Sequence, residues 1–255
     1  MVKNQDLNRW KPEPKKVLIS APIGGHKQYS INLWFEWIVN QDYSNIVVCI
    51  CSNGDNRKDI MNNIDKVKLT HKSGRNISII NLELPRSDDL SIIQKITYSR
   101  ETIRRFAVKY EYDAIFWLDT DTIPANKNAI SRLLSWNVDS VSGLYFYKNS
   151  AVPVVIDADT HTNVSMEKLN EFVNIDRIMP VWGTGYGCLL HQGKAMKLRF
   201  DYELFGEERT DDFGHCHVLE QNNVLRWLDP FILCKHFADN KDYEKINDFI
   251  QIKRK

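Results

Sequence analysis

Short apolar runs alternate with amphipathic stretches through the first half of the chain. Lys16-Val-Leu-Ile-Ser20 reads as a buried strand, ended by Ala21-Pro22-Ile23-Gly24-Gly25. A helix carrying Ile31, Leu33, Trp34, Trp37 and Ile38 follows, then a second strand, Ile46–Cys51, with the turn Ser52-Asn53-Gly54-Asp55. A polar helix over about 56–67, a third strand at Asn76–Leu82, a long helix from about Asp88 to Tyr110 and a fourth strand at Asp113–Leu118 complete this half. Strands that alternate with helices predict a parallel, doubly wound sheet covered on both faces. In such sheets ligands bind beyond the carboxyl ends of the strands, so loops 21–27, 52–55 and 119–122 are expected to converge.

The second half is more mixed. Val138–Tyr147 and Val152–Ile156 read as strands, Trp182–Leu190 as a Gly-rich apolar segment, and about 211–222 as a helix. Val224–Leu228 and Phe231–Lys235 read as two further short strands. Residues 1–14 read as a flexible arm.

The long helix contains a charge in an unexpected place. Ile92, Ile96, Ile103 and Ala107 follow spacings of three and four, and Arg100 lies inside that apolar stripe. Arg104 falls at its edge and Arg105 on the opposite side. A guanidinium on an apolar face needs a partner, because an unpaired buried charge is costly. That partner is either an anionic ligand or a carboxylate such as Asp119, and a purely structural ion pair is the alternative.

Asp119-Thr120-Asp121 closes the fourth strand and is followed by Pro124. Two carboxylates delivered at a strand end suit Mg²⁺ or Mn²⁺, which also takes phosphate oxygens. An Asp-x-Asp by itself is a weak signal, equally at home in a turn; its position beyond the strand is what singles it out. A second acidic pair, Asp211-Asp212, opens a helix. Thr210 or Asp211 suits the helix cap, and acids there suit the helix dipole. The chemical reading makes Asp212 a general base, its pKa raised by Glu207, Glu208 and Asp211.

Composition narrows the choice of chemistry. A formal net charge of +1 over 255 residues argues against bulk nucleic-acid binding, which calls for a basic stripe. The basic ends, Lys11–Lys16 and Lys253–Lys255, leave room only for peripheral contact with a charged surface. Five cysteines without a Cys-x-x-Cys read as reduced thiols, Cys49 and Cys51 pointing to one buried face. With neither a signal-like nor a membrane-spanning apolar segment, a cytoplasmic location is expected.

These motifs, in this order, resemble the GT-A glycosyltransferases, and within them the large inverting family that carries the Asp-x-Asp signature. The strand ending in Pro22 is similar to the family's first strand, and Ser52–Asp55 to its acidic-Gly-Ser turn. Ser99-Arg100 is similar to its Ala-Arg-Asn, with Glu101 standing where the family has Asn. Gly183, Gly185 and Gly187 resemble its acceptor loop, Asp211-Asp212 its acidic pair, and His236 the late His that completes the metal site in some members. Trp182 and Tyr186 then read as an acceptor platform, or else as part of a tight loop against the core.

The resemblance implies one GT-A domain over 15–255, Rossmann-like with a mostly parallel central sheet and a smaller mixed acceptor-side region. Residues 15–125 would bind nucleotide and 126–255 the acceptor. It implies a nucleoside-diphosphate sugar donor held by Pro22, Asn53, Arg100 and Asp119, and Mn²⁺ or Mg²⁺ held by Asp119, Asp121 and His236. Asp212 and Asp211 would act on a sugar, glycan or other hydroxyl acceptor, with inversion. A nucleotidyltransferase that makes sugar nucleotides, a non-catalytic sugar-nucleotide or glycan-binding protein, and a retaining transferase on the same fold are the alternatives.

Overall fold

The computed structural model describes residues 15–54, 56–84, 89–205 and 210–237. The N-terminal arm, Asp55, Asp88 at the expected start of the long helix, and Glu207 and Glu208 lie outside the described residues.

Twelve strands are present among the described residues: β1 Val17–Ile23, β2 Ile46–Ser52, β3 Leu69–Thr70, β4 Asn76–Ile77, β5 Ile79–Glu83, β6 Ala114–Trp117, β7 Thr122–Pro124, β8 Ser140–Leu144, β9 Val155–Asp157, β10 Met179–Thr184, β11 Leu189–Gln192 and β12 Arg226–His236. The helices are α1 Ile31–Asn40, α2 Arg57–Ile64, α3 Ile92–Lys109, α4 Ala129–Ser135, α5 Met166–Asn174, α6 Gly193–Lys197, α7 Tyr202–Phe205 and α8 Asp211–Gln221, with a 3₁₀ turn at Gly25–Ser30. Ten strands form one sheet in the order β5-β2-β1-β6-β11-β8-β12-β10-β9, with β7 paired to β12, while β3 and β4 pair separately.

The first half follows the expected scheme, except that the third strand expected at Asn76–Leu82 is two: β4, which pairs antiparallel with β3, and β5, which joins the main sheet. β5, β2, β1 and β6 are parallel neighbours, and β1 and β2 read as near-continuous apolar runs because both their faces are covered. Val17, Ile19 and Ile23 pack on one side with Trp34, Ile38 and Ile50. Leu18, Cys49 and Cys51 pack on the other with Ile103 and Ala107 of α3. All five cysteines are free and buried.

The second half is antiparallel where β11 meets β6 and β8, and where β10 meets β9 and β12. Three expectations are corrected here. The two short strands after Val224 are a single strand, β12, whose register shifts between Asp229 and Leu233. That kink hides the continuity in the sequence, because Pro230 interrupts the pattern. The Gly-rich segment 182–190 is the end of β10, a turn and the start of β11. Helix α3 begins at Ile92, where Ser91 accepts from the Gln94 backbone N–H and Gln94 reaches back to Ser91 in a capping box. Ile92 is consequently outside the buried stripe, 71% exposed.

Candidate active site

Three strand ends meet where the sequence places them. β1 lies between β2 and β6, and Asn53 N–H donates to Ile23 O while Leu118 N–H donates to Ser20 O. Beyond β6 the chain turns, Thr122 N–H donating to Asp119 O, and enters β7. β7 pairs antiparallel with the end of β12, so that His236 sits opposite Thr122 and Phe237 N–H donates to Asp121 O. This register brings His236 to Asp121 across more than a hundred residues of sequence: its Nε2 lies 3.9 Å from Asp121 Oδ2.

Arg100 is the hub. Its side chain is 3% exposed, its guanidinium 4.9 Å from the Tyr186 ring and 5.6 Å from the Trp117 ring. Nε donates to Asp211 Oδ2 at 2.7 Å, and Nη2 donates to Asp119 Oδ1 at 3.3 Å and to Asp212 Oδ1 at 3.5 Å. The buried charge that the helix stripe demanded is thus answered by carboxylates from two distant segments. Burial works against the guanidinium's charge, but Asp119, Asp211 and Asp212 together hold its pKa above the ordinary value.

The acidic pair is free for this work because Thr210, not Asp211, caps α8, its hydroxyl accepting from Phe213 N–H. Asp211 and Asp212 occupy the first turn, where the helix dipole favours negative charge. Burial, then Asp211 and Asp119, push the Asp212 carboxyl well above the usual range against the opposing pull of Arg100. Its side chain keeps 23% of its surface open. Asp212 thus combines a raised pKa with an edge toward solvent.

Asp121 is fully buried and holds two ammonium groups. Lys27 Nζ donates to Oδ1 at 3.2 Å and Lys148 Nζ to Oδ2 at 2.8 Å. Burial raises the Asp121 pKa, but Lys27, His236 and Lys148 outweigh it and leave the carboxyl below the ordinary range. His236 Nδ1 lies 2.9 Å from Phe146 O, a contact that fits an Nδ1–H donor and leaves an Nε2 lone pair toward Asp121. Burial lowers the pKa of this imidazole in spite of Asp121, favouring the neutral, ligating form. A hard carboxylate and an oriented imidazole fit Mn²⁺ or Mg²⁺, with phosphate oxygens and water supplying further ligands. Among the described residues no three His, Cys, Asp or Glu side chains form a ready-made metal cluster.

Other sequence candidates fall into place differently. Pro22 is buried in β1 opposite Cys51. Asn53 is buried and donates to Ser99 Oγ at 3.0 Å, so its side chain ties the strand end to α3. Tyr186 is fully buried, its hydroxyl bonded to His215, and so cannot offer a face to an acceptor. The tight-loop reading holds for Gly185 and Gly187. Gly187 N–H donates to the Tyr145 hydroxyl, and a Cβ on Gly185 would fall 1.8 Å from that oxygen. Trp182 remains partly open, stacked on Phe213 beside Asp212 with ring centroids 6.5 Å apart. Glu101, the departure from the family pattern, accepts from Arg104, Arg105 and Phe200 N–H and is structural. Lys148 and Tyr145 belong to the site without any motif announcing them; Lys27 lies in the loop 21–27 that the strand pattern expects to converge there.

Beneath the site, His215 is buried, stacked on Phe200 with centroids 3.9 Å apart, and accepts the Tyr186 hydroxyl at Nδ1 while Nε2 donates to Leu198 O. Burial pushes its pKa down to about 3, so stability from keeping it neutral is fully present above the unfolded value of about 6.5 and is lost as pH falls toward 3. The loss approaches ~1.4 kcal/mol per pH unit within that window. His215→Phe is expected to be less stable at pH 7, because Tyr186 loses its acceptor, yet to show a shallower decline between pH 6.5 and 4.5. Urea midpoints of both proteins across that range are the check, and parallel declines would remove His215 as the titrating group.

No family model matches the chain. A segment of 98 residues, 38% of the chain, is 29% identical to an ATP-dependent DNA helicase of Orgyia pseudotsugata multicapsid polyhedrosis virus, of which it spans 8%. The fold has clearer counterparts. A mannosyltransferase from Pyrobaculum calidifontis, solved in complex with GDP-Man and Mn²⁺, superposes with a TM-score of 0.59 at 12% identity, over 96% of this chain and 63% of that one. TarS of S. aureus superposes with a TM-score of 0.56 at 12% identity, over 91% of this chain and 38% of that one. A shorter form of TarS in complex with UDP-GlcNAc gives 0.53 at 13% identity, over 84% and 55%. The chain has the α/β GT-A fold of glycosyltransferases. It spans less than two thirds of the length of each of these three solved chains. Among the described residues no helix is long and apolar enough to cross a membrane.

Proposed function

We propose that the chain transfers a sugar from a nucleoside-diphosphate sugar to an acceptor hydroxyl with inversion. The observation that carries this reading is the Arg100 hub, which joins the strand-end Asp119 to the Asp211-Asp212 pair at the head of α8. Donor and acceptor machinery then share one cleft at the carboxyl ends of the strands. The fold's counterparts in complex with GDP-Man and UDP-GlcNAc support a donor of that class.

In this mechanism Asp212 accepts the proton of the acceptor hydroxyl as its oxygen forms a bond to the anomeric carbon. The bond from that carbon to the diphosphate oxygen breaks, and the diphosphate leaves with the electron pair. Pro22 and Asn53 shape the strand-end floor beneath the nucleotide, and Arg100 orients Asp119 and Asp212 through its hydrogen bonds. Asp211, fixed by Arg100, holds the acceptor side, where the partly open Trp182 offers an aromatic face to a sugar. Asp119, Asp121 and His236 would hold Mn²⁺ or Mg²⁺, which when bound neutralises charge on the diphosphate.

A panel of sugar nucleotides tested for metal-dependent transfer and hydrolysis, with the product's anomeric configuration read by proton NMR, tests the activity. Binding tests the site separately. Mn²⁺ is expected to tighten nucleoside-diphosphate binding by about 10–100-fold over EDTA, the scale of a lost charged contact, and Asp121→Ala is expected to lose that increment. Equal affinity in Mn²⁺ and EDTA for the unaltered protein would remove metal from the donor site.

A further inference from the structure

We propose that Lys27 and Lys148 form a two-lysine seat for the donor's diphosphate, parked on Asp121 until the anion arrives. The inference rests on the donor reading above and adds two residues to it. Lys27 comes from the 3₁₀ turn after β1 and Lys148 from the chain beyond β8, so each half of the domain contributes one arm. Their ammonium groups converge on the two oxygens of a single, fully buried carboxylate. Asp119, which Arg100 engages, also favours the Lys27 charge, and the hydrogen bonds of both ammonium groups go to Asp121.

The lysine side chains are 23% and 35% exposed, whereas Asp121 has no exposed surface. An incoming anion therefore meets the ammonium groups, not the carboxylate. Each ammonium has three donors, and the contact with Asp121 uses one. A diphosphate, with several charged oxygens in a short span, can take the others from both lysines at once. The same contacts set lysine against divalent cation: both draw on the oxygens of Asp121. Moving the ammonium groups onto phosphate would free that carboxylate, so anion binding and metal binding support each other.

The test uses the full chain and three probes, GDP, UDP and inorganic pyrophosphate, titrated calorimetrically in EDTA. Lys27→Gln and Lys148→Gln keep a hydrogen bond to Asp121 while removing the charge, and melting temperatures establish that each is folded. Lys235→Gln, an exposed lysine beside His236, controls for net charge. Each seat variant is expected to bind pyrophosphate and the accepted nucleotide about tenfold more weakly than the unaltered protein, the scale of one charged hydrogen bond. Each is also expected to bind Mn²⁺ more tightly in the absence of nucleotide, because a competitor for Asp121 has gone. Seat variants equal to the unaltered protein, or a matching loss in Lys235→Gln, would overturn the proposal. If neither nucleotide binds the unaltered protein even with Mn²⁺, the sugar-nucleotide reading fails, and the pyrophosphate titrations still decide the lysine seat. Should one seat variant not fold, the other decides alone.

Discussion

Asp212→Asn is expected to bind donor and metal normally and to lose about 10²–10⁴ of the transfer rate, the usual contribution of a general base. The amide is nearly isosteric, and the cap of α8 belongs to Thr210, so the helix start survives the change. Relieving a carboxylate that burial and Asp211 already disfavour should leave the fold no less stable. Only proton acceptance is removed. Donor affinity depends on Asp121 and its neighbours and should be untouched. Turnover at saturating donor and acceptor is the measurement, and near-normal turnover of Asp212→Asn would move the base elsewhere.

The same assignment predicts the shape of the pH profile. Asp212 works only when deprotonated, so turnover should fall as pH drops through its raised pKa, above the range of an ordinary carboxylate. Asp211→Asn removes the nearest like charge and should move that acid limb downward, with its main cost in acceptor KM. An acid limb that stays in place in Asp211→Asn would show that some other group titrates.

Local pattern made much of this legible. Apolar runs located β1, β2 and β6, and the placement of Asp119 and Asp121 beyond β6 followed from strand length alone. Arg100 stood out because the helix period put a charge where apolar residues belong, and the structure explains it with three carboxylates. The sequence carries no comparable mark for Lys148: it sits in an irregular segment, and only the meeting of β8, β7 and the end of β12 brings it to Asp121. Long-range pairing also decided β12, read as two strands because Pro230 breaks the local pattern while β8 and β10 hold the strand together. Tyr186 looked like an aromatic platform because glycines flank it. Those glycines instead let the loop close onto Tyr145, which buries the ring. Periodicity reports which side of an element is apolar, but not which distant segment covers it.

Arg100→Ala should be the most disruptive single change to the site. It leaves Asp119, Asp211 and Asp212 without the cation that joins them, and all three are at least three-quarters buried at the side chain. Removing one partner of a buried charged group typically costs 3–5 kcal/mol, since the remaining charge stays desolvated. Part of that cost is relieved by protonation of Asp212, so the destabilisation should be smaller at pH 5 than at pH 8. Donor binding should weaken as well, through loss of the hold on Asp119. Arg105→Ala is the matched control: Arg105 lies on the same helix, pairs with Glu101 and is 67% exposed, so its removal should cost under about 1 kcal/mol. Arg100→Lys keeps a charge but cannot span Asp211, Asp119 and Asp212 at once, and is expected to restore much of the stability while leaving transfer impaired. Urea unfolding at the two pH values, with donor titration of the folded variants, separates these effects. If Arg100→Ala unfolds like Arg105→Ala and binds donor equally well, the three carboxylates do not depend on Arg100, and the hub is a geometric coincidence.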